Sequence, residues 1–367
     1  MNQINKEIIV HVITNFSGVG GAEMMLARLI KQTEHDYSHV VISLIKVSDI
    51  YAEALALCSS HYALNWNGLN SFGVMIKLKK LIKQIAPKTV QCWMYHANML
   101  TSISMFGVQN KPKIFWGIHH SLSSPKEESL NTKISLVLNK YLAKQPTGII
   151  YCAHSSLDQH EKFGLINTNA RVIANGVSLE KFQLNPILHK PCTIGFAGRY
   201  HTAKGYPYLF ATIAKFKDQS IIFKIAGSGA NLDNPEVKGY FEQYQLDINK
   251  VQLLDQISDM SDFYQSIDAF LMTSITEGFP NVLVEAMASG LPCISTDVGD
   301  AKYIVQDLGF IVPPRNTAAL ANAILSYVNL SLDAKQQLKQ ASRKRVEQNF
   351  SIEYISQQYV STWRQGE

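Results

Sequence analysis

Short apolar segments alternate with longer segments of helical period along the first half of the chain. The apolar segments are IIVHVIT (8–14), VVISLI (40–45), TVQCWM (89–94), KIFWGI (113–118) and TGIIYCA (147–153). Short runs bounded by turn residues indicate buried strands, and the amphipathic stretches between them indicate helices. The alternation predicts β-α units that build a parallel sheet.

The same alternation starts again in the second half. Its apolar segments are CTIGFAG (192–198), IIFKIAG (221–227), VQLL (251–254), AFLMTS (269–274) and PCISTD (292–297). Between the two series, Asn175-Gly176 marks a turn, and Pro186 and Pro191 interrupt regular structure. The chain therefore contains two series of β-α units joined by a linker.

A chain of 367 residues is too long for one ordinary hydrophobic core, and its length is typical of two domains. We predict an α/β fold of two doubly wound, Rossmann-like domains that face each other across a cleft. The predicted boundaries are 1–185 for the first domain and 186–350 for the second. The last segment, 351–367, has helical period and is a candidate to pack back on the first domain.

Composition excludes several classes of protein. Hydrophobic residues make up 46% and charged residues 17%, as in globular domains. The five cysteines lie far apart with no CxxC spacing, which argues against a disulfide framework or a zinc knuckle. No signal-peptide core and no apolar run of about 18 residues occurs. We expect a cytoplasmic protein, with a peripheral place at the inner face of the cell membrane as an open alternative.

Positive charge is concentrated in the first domain: the net charge is +5, with +7 in residues 1–185 and −2 in the remainder. The segment 74–88 combines lysines with an apolar stripe of Leu78, Leu81, Ile82 and Ile85. It could dock on an anionic membrane through its lysines, or it could be a crossover helix that packs its stripe on its own sheet. No dense basic run is interleaved with aromatics, so we expect no nucleic-acid partner.

The stretch TSITEGFPNVLVEAMASG predicts a phosphate-binding helix start near Pro280, because proline suits the first helical turn. Amides at the start of a helix attract anions. The expected donors are the amides of Gly278, Phe279, Asn281 and Val282. This loop is predicted to hold a diphosphate.

Two carboxylates flank that helix start, Glu277 before it and Glu285 within it. Acids beside a phosphate repel the anion, so each needs another partner, and the hydroxyls of a sugar or ribose are suitable donors. The alternatives are that Glu277 only caps the helix and that Glu285 lies on a solvated face.

The loop in GFAGRYHTAKG supplies positive charge after the first strand of the second domain. Arg199 and Lys204, with Gly198 beside them, are expected to stabilise the charge on a leaving diphosphate. In the first domain, NFSGVGGAEMM places Gly20 and Gly21 where the backbone can approach a substrate. Glu23 stands where a dinucleotide fingerprint needs its third glycine, which disfavours hydride transfer.

Histidines follow two predicted strands of the first domain. His119 and His120 follow the strand KIFWGI, and His96 lies shortly after TVQCWM. The carboxyl ends of such strands are where α/β folds bind ligands. His119 is therefore a candidate active-site residue, and His96 and His120 are candidates for an acceptor site. No paired carboxylate or DxD-type motif joins them, so we expect no metal ion and no cofactor.

Taken together, GGAE, GFAGRYHTAKG, KIAGSGAN and EGFPNVLVEAMASGLPCISTDVG resemble the retaining family-4 glycosyltransferases (group 1) of the GT-B fold, including bacterial polysaccharide and O-antigen sugar transferases. The resemblance implies that the first domain binds the acceptor and the second the nucleotide sugar. It implies catalytic roles for His119, Arg199, Lys204 and Glu277, with Glu285 on the ribose. Donor-binding roles follow for Gly20, Gly21, Gly198 and Gly227.

The resemblance further implies a metal-independent transfer with front-face attack, from a nucleotide-diphosphate sugar, with UDP the expected nucleotide, to a saccharide or lipid-linked saccharide. Asp255 and Asp300 depart from the family pattern, which leaves the base and the sugar open. A nucleotide-sugar epimerase of the same fold is the alternative enzyme. A catalytically silent binding module is disfavoured by the intact charged residues.

Overall fold

The computed structural model describes residues 6–126 and 128–365, which form two compact α/β units. The first contains the chain up to Gly176 together with the part from Ile352 onward, and the second is Val177–Ser351. The division lies nine residues before the boundary predicted at 185. The segment after Gly176 belongs to the second unit because the Val177 amide donates to the Phe350 carbonyl (2.9 Å) and the Asn185 amide to the Ser289 carbonyl (2.9 Å).

The first unit is built on a parallel sheet of order β3-β2-β1-β4-β5-β6-β7. Its strands are β1 (Glu7–Ile13), β2 (Tyr37–Ser43), β3 (Ser60–Ala63), β4 (Thr89–Trp93), β5 (Lys113–Ile118), β6 (Gly148–Tyr151) and β7 (Ala170–Val172). Its helices are α1 (Gly21–Thr33), α2 (Ala52–Ala56), α3 (Ser71–Ile85), α4 (Tyr95–Ser104), α5 (Leu130–Leu142), α6 (His154–Phe163) and α14 (Ile352–Arg364).

The two faces of this sheet differ in chemistry. Alternate residues such as Val12, Val90 and Trp116 form an apolar core with helices α3, α4 and α5. On the other face, β1, β2 and β4 carry buried polar and aromatic side chains: His11, His39, Gln91 and Trp93. Helices α1 and α14 pack together on that polar face, where the Trp363 indole donates to Gln91 Oε1 (3.3 Å).

Helix α3 packs its predicted apolar stripe on its own sheet. Leu78 and Ile82 are fully buried in the core, and Leu81 and Ile85 pack against it. The crossover-helix interpretation of segment 74–88 therefore holds for the stripe, because burying these side chains on the apolar sheet face removes them from water. The part of the chain that the structure describes contains no helix long and apolar enough to span a bilayer.

The second unit repeats the architecture with a parallel sheet of order β10-β9-β8-β11-β12-β13. Its strands are β8 (Cys192–Ala197), β9 (Ile221–Ala226), β10 (Val251–Asp255), β11 (Ala269–Met272), β12 (Cys293–Thr296) and β13 (Gly309–Val312). Its helices are α7 (Tyr206–Ile213), α8 (Pro235–Tyr244), α9 (Met260–Gln265), α10 (Asn281–Ala288), α11 (Ala301–Val305), α12 (Thr317–Val328) and α13 (Leu332–Asn349). The predicted fold class, two doubly wound α/β units, is confirmed.

Candidate active site

The loops that follow β8 and β11 interlock at the carboxyl edge of the second sheet. Gly205 adopts a left-handed conformation (φ +68°), and a Cβ there would collide with the Thr273 carbonyl. The Thr273 hydroxyl donates to the Lys204 carbonyl (3.0 Å), and the Ile275 amide donates to the Ala203 carbonyl (2.8 Å). These contacts fix the Arg199–Lys204 loop against the loop that carries Glu277.

Lys204 and Glu277 form an ion pair at the centre of these loops. The Lys204 ammonium lies 2.6 Å from Glu277 Oε1, which also accepts a hydrogen bond from the Ser274 hydroxyl (2.7 Å). Their side chains are 24% and 14% exposed, so the pair remains in contact with solvent. Ser274 was not predicted as a site residue, although it lies two residues after β11 and three before Glu277.

Arg199 is exposed and forms no hydrogen bond or ion pair with residues 6–126 or 128–365. Behind it, Gly198 and Gly227 come into close backbone contact, and a Cβ on Gly227 would collide with the Gly198 carbonyl. The Gly198 amide donates to the Ala226 carbonyl (2.9 Å), and the Gly227 amide donates to the Asp255 carbonyl (2.6 Å). The two glycines thus allow the backbone segments after β8 and β9 to approach closely. Their own amides donate hydrogen bonds to carbonyl groups of the protein.

Helix α10 begins at Asn281, with Pro280 as its N-cap. The Phe279 ring packs 5.9 Å from Phe350, which directs that side chain into the unit. The amides of Asn281 and Val282 therefore lie in the first turn, where the helix dipole is positive. The loop before the helix is held by the Asp300 amide, which donates to the Gly278 carbonyl (3.0 Å).

Glu285 lies within α10 and is buried. Its Oε2 is 3.3 Å from the hydroxyl of Tyr264, which is itself fully buried. The alternative of a solvated helix face is therefore wrong for Glu285, because α10 packs this side of the helix into the unit. A buried carboxylate can accept several hydrogen bonds, so the hydroxyls of a ligand can join that of Tyr264.

Asp255, which departs from the family pattern, lies at the end of β10, where the pairing with β9 shifts register. It has a left-handed conformation (φ +50°), which glycine adopts freely and aspartate tolerates through local hydrogen bonds. Its Oδ1 accepts from the Gly229 amide (3.0 Å). The Asp255 side chain thus ties the end of β10 to the loop that follows β9.

In the first unit, His119 follows β5 and is held on two sides. Its Nδ1 lies 3.0 Å from Asn175 Oδ1, and its ring stacks on Trp93 at a centroid distance of 5.2 Å. Burial lowers the pKa of His119 to about 4, so the ring is neutral near pH 7. Because the Asn175 oxygen accepts, the proton is on Nδ1 and Nε2 is an acceptor. Nε2 is buried and has no hydrogen-bond partner in the described parts of the chain.

Asn175 and Trp93 were missed as site residues. Asn175 was interpreted only as a turn residue, and Trp93 only as part of a strand. The contact between His119 and Asn175 spans 56 positions in the chain, so no local spacing indicates it.

A directional chain of hydrogen bonds continues from Trp93 across the polar face of the sheet. The Trp93 indole donates to His11 Nδ1 (3.4 Å), and His11 Nε2 lies 3.0 Å from His39 Nδ1. His39 Nε2 lies 3.0 Å from the Thr33 hydroxyl, which donates to the Leu29 carbonyl of α1 (2.6 Å). Because indole can only donate, His11 Nδ1 accepts and the proton of His11 is on Nε2. That Nε2–H donates to His39 Nδ1, so the proton of His39 is on its own Nε2. Both histidines are therefore neutral Nε2–H tautomers.

His120 and His96 have separate partners. His120 Nε2 lies 2.7 Å from Glu128 Oε1, and the His120 ring meets Tyr95 edge-on at 5.9 Å. The His96 ring lies 5.1 Å from Trp66, and burial lowers the pKa of His96. Neither contact involves His119.

Helix α1 begins at Gly21, with Gly20 as its N-cap. A Cβ on Gly20 would collide with the carboxylate of Glu23, and burial raises the pKa of Glu23. Gly20 therefore makes room for an acid in the first helical turn. Among residues 6–126 and 128–365, no three His, Cys, Asp or Glu side chains cluster as metal ligands do.

Comparisons with known proteins show which family this chain resembles. The family model described as Glycosyltransferase Family 4 matches residues 19–181, and the model described as Glycosyl transferases group 1 matches residues 191–329. The capsular polysaccharide biosynthesis glycosyltransferase CapM of Staphylococcus aureus is 28% identical over 203 residues, 52% of this chain and 53% of CapM.

A second relative is the UDP-Gal:α-D-GlcNAc-diphosphoundecaprenol α-1,3-galactosyltransferase of Escherichia coli. It is 27% identical over 177 residues, 42% of this chain and 44% of that enzyme. The chain thus matches about half the length of these curated relatives.

Among solved structures, Anabaena HepE in complex with UDP has a TM-score of 0.82 at 19% identity, and the match covers 96% of this chain and 98% of HepE. At this identity the likeness establishes the GT-B fold alone. The two family models cover most of both compact units, and the chain belongs to the family-4, group 1 glycosyltransferases.

Proposed function

We propose that this protein is a retaining glycosyltransferase that moves a sugar from UDP-sugar to a hydroxyl of a saccharide or lipid-linked saccharide in cell-surface polysaccharide synthesis. The Lys204–Glu277 pair carries the proposal. It sets a cation for the diphosphate and a carboxylate for the sugar side by side, 2.6 Å apart, beside the start of α10.

The donor would be held by groups of opposite character. Arg199, Lys204 and the amides at the start of α10 would bind the diphosphate, because cations and helix N-termini stabilise anions. The carboxylate of Glu285 would accept hydrogen bonds from the ribose, and that of Glu277 from the sugar. The neutral His119 would offer the Nε2 lone pair to a sugar hydroxyl.

Transfer would proceed by front-face attack. The bond from the anomeric carbon to the acceptor oxygen forms as its bond to the diphosphate breaks, and the departing phosphate oxygen takes the acceptor's proton. The charge that grows on the diphosphate is stabilised by Arg199 and Lys204, which replace a metal ion in this role.

The names of the relatives support the substrates. The Escherichia coli relative is named for UDP-galactose as donor and a lipid diphosphate-linked saccharide as acceptor, and HepE has been solved with UDP. The relatives reported above are named as glycosyltransferases, so the epimerase alternative gains no support.

A donor screen tests the proposal. Nucleotide sugars are ranked by thermal stabilisation, and acceptors are then tested with the best donor. Arg199→Ala should lower kcat/KM by about 2–4 kcal/mol in transition-state terms, whereas Lys344→Ala, a change of an exposed cation on α13, should not.

Proton NMR of early product reads the anomeric configuration. An inverted anomer would overturn front-face attack. Conversion of the donor to its epimer without any acceptor would establish the epimerase instead.

A further inference from the structure

Helix α5 turns apolar side chains outward. Five large apolar residues of this helix are between 39% and 78% exposed: Leu130, Ile134, Val137, Leu138 and Tyr141. Their spacing places them on one helical face. Helices of globular proteins ordinarily bury such a face, and contiguous exposed apolar area marks an interaction site.

The orientation of α5 is fixed by its opposite face. Ser135, Leu136 and Asn139 are buried, and the Asn139 side-chain amide donates to the Tyr95 carbonyl of α4 (3.0 Å). Leu136 belongs to the apolar core of the sheet. The helix therefore cannot turn its apolar stripe inward without losing these contacts.

Positive charge accompanies the apolar stripe. Helix α5 carries Lys133 and Lys140, Lys144 follows it, and no acidic residue lies between Leu130 and Leu142. Helices α3 and α5 both contact α4, and α3 exposes Phe72 and Ile76. We give the name α3–α5 surface to the exposed large apolar side chains of the two helices together with five lysines on or just after them, of which Lys133 is half-buried. Its members are Phe72, Ile76, Lys80, Lys83, Leu130, Lys133, Ile134, Val137, Leu138, Lys140, Tyr141 and Lys144.

We infer that the α3–α5 surface docks on an anionic lipid bilayer, with its apolar side chains in the interface and its lysines at the headgroups. Buried apolar area and attraction to anionic headgroups act together in such binding. A second copy of the chain fits less well, because a two-fold contact would bring the lysines of one copy against those of the other. Docking on the bilayer would give the proposed enzyme access to a lipid-linked acceptor. This purpose of the docking rests on the proposed function.

Vesicle binding by the full chain tests the inference. Flotation with vesicles of phosphatidylglycerol and of phosphatidylcholine should show at least about tenfold stronger binding to the anionic ones. Lys133→Gln with Lys144→Gln should weaken that binding about tenfold or more. Ile134→Ser with Tyr141→Ser should remove the part of the binding that resists high salt, because salt screens charges and leaves apolar insertion intact.

The second unit provides matched controls. Ile248 is about as exposed as Ile134 (48% against 52%), and Leu332 is also well exposed, so Ile248→Ser with Leu332→Ser should leave vesicle binding unchanged. Lys215→Gln with Lys344→Gln controls for loss of charge. Thermal stabilisation by UDP, measured without vesicles, separates this question from the proposed function.

Three results would overturn the inference: equal binding of the wild type to both kinds of vesicle, unchanged binding by both variants of α5, or a dimer in sedimentation that Ile134→Ser with Tyr141→Ser dissociates. The dimer would mean that a second copy covers the surface.

Discussion

Lys204 and Glu277 neutralise each other across two loops that are 73 positions apart in the chain, and Ser274 completes the contact. The pair joins the cation expected for the diphosphate to the carboxylate expected for the sugar. A bound donor would therefore meet a site whose charges are already balanced and positioned.

Lys204→Ala should destabilise the second unit and lower activity, because it leaves the Glu277 carboxylate without its cation. We expect a loss of about 1–3 kcal/mol in unfolding free energy, most of it regained in the Lys204→Ala, Glu277→Ala double variant, which stays inactive. Urea denaturation and kcat/KM measure the two effects. Lys238→Ala is the control, since it breaks the exposed 3.9 Å pair with Glu242. Full activity of the double variant would contradict the assignment.

The buried histidines should make the first unit acid-sensitive. Burial lowers the pKa of His39 to about 4 and lowers that of His11, so the unfolded chain takes up protons at a higher pH than the folded one. This stability is present above about pH 6.5 and is lost as the pH falls toward 4. Between pH 7 and 4.5, His39 alone should account for about 2–3 kcal/mol.

Chemical denaturation at the two pH values measures this loss. The difference should shrink in His39→Gln and persist in His35→Gln, whose side chain is 89% exposed. A constant offset in stability from either substitution cancels in the comparison. An unchanged pH dependence in His39→Gln would show that these histidines do not cause the loss of stability at low pH.

Trp93 should act as a positioning residue for His119. Trp93→Phe keeps an aromatic ring under the imidazole and removes the indole donor to His11. Trp116→Phe is a matched control, because Trp116 is equally buried on the opposite sheet face and donates to the Ser102 hydroxyl (3.0 Å). Both variants should lose about 1–3 kcal/mol of stability.

Only Trp93→Phe should lower kcat/KM, by roughly tenfold to a hundredfold. Nitrogen-15 NMR of the histidines should also show that His11 and His39 no longer hold single Nε2–H tautomers in that variant. Equal activity in the two tryptophan variants would mean that Trp93 contributes to the core and does not position His119.

Gly205→Ala should disrupt the contact between the loops that follow β8 and β11 in the second unit. It places a Cβ at positive φ and against the Thr273 carbonyl, at a cost of at least about 1–3 kcal/mol. Gly239→Ala on α8 meets open space and should instead stabilise by about 0.5–1 kcal/mol. Thermal unfolding distinguishes the two, and equal effects would argue against the interlocked loops.

A chelator should leave the transfer rate nearly unchanged, because the proposed charge neutralisation is by Arg199, Lys204 and helix amides. Rates are compared with and without excess chelator, and again after Mg²⁺ is restored. Activity that disappears in chelator and returns with Mg²⁺ would mean that the diphosphate charge has been assigned to the wrong groups.

Strand positions were predictable because apolar β-branched runs end abruptly at turn residues. Among the predicted strands, β1 begins at Glu7 and β8 at Cys192, within a residue of expectation. The short strands β3, β7 and β13 were missed, since their three or four residues are not fully buried and contain an apolar run of at most three residues.

The same limit applies to the site and its surroundings. Glu277 and Lys204 were each recognised from their own loop, but their contact arises only when β8 and β11 become neighbours. Helices α3 and α5 are both apolar along one face, and periodicity does not say which side meets the sheet. The structure buries Leu78 of α3 and exposes Ile134 of α5.

The place of α14 in the first unit has a consequence for biosynthesis. Ile352–Arg364 leave the ribosome only after the whole second unit, yet Tyr359 and Trp363 of this helix cover His11 and Trp93. The polar face of the nascent first unit therefore lacks α14 while residues 177–351 are translated. A stop codon just before this helix would leave the histidine face of the first unit without the cover of Tyr359 and Trp363.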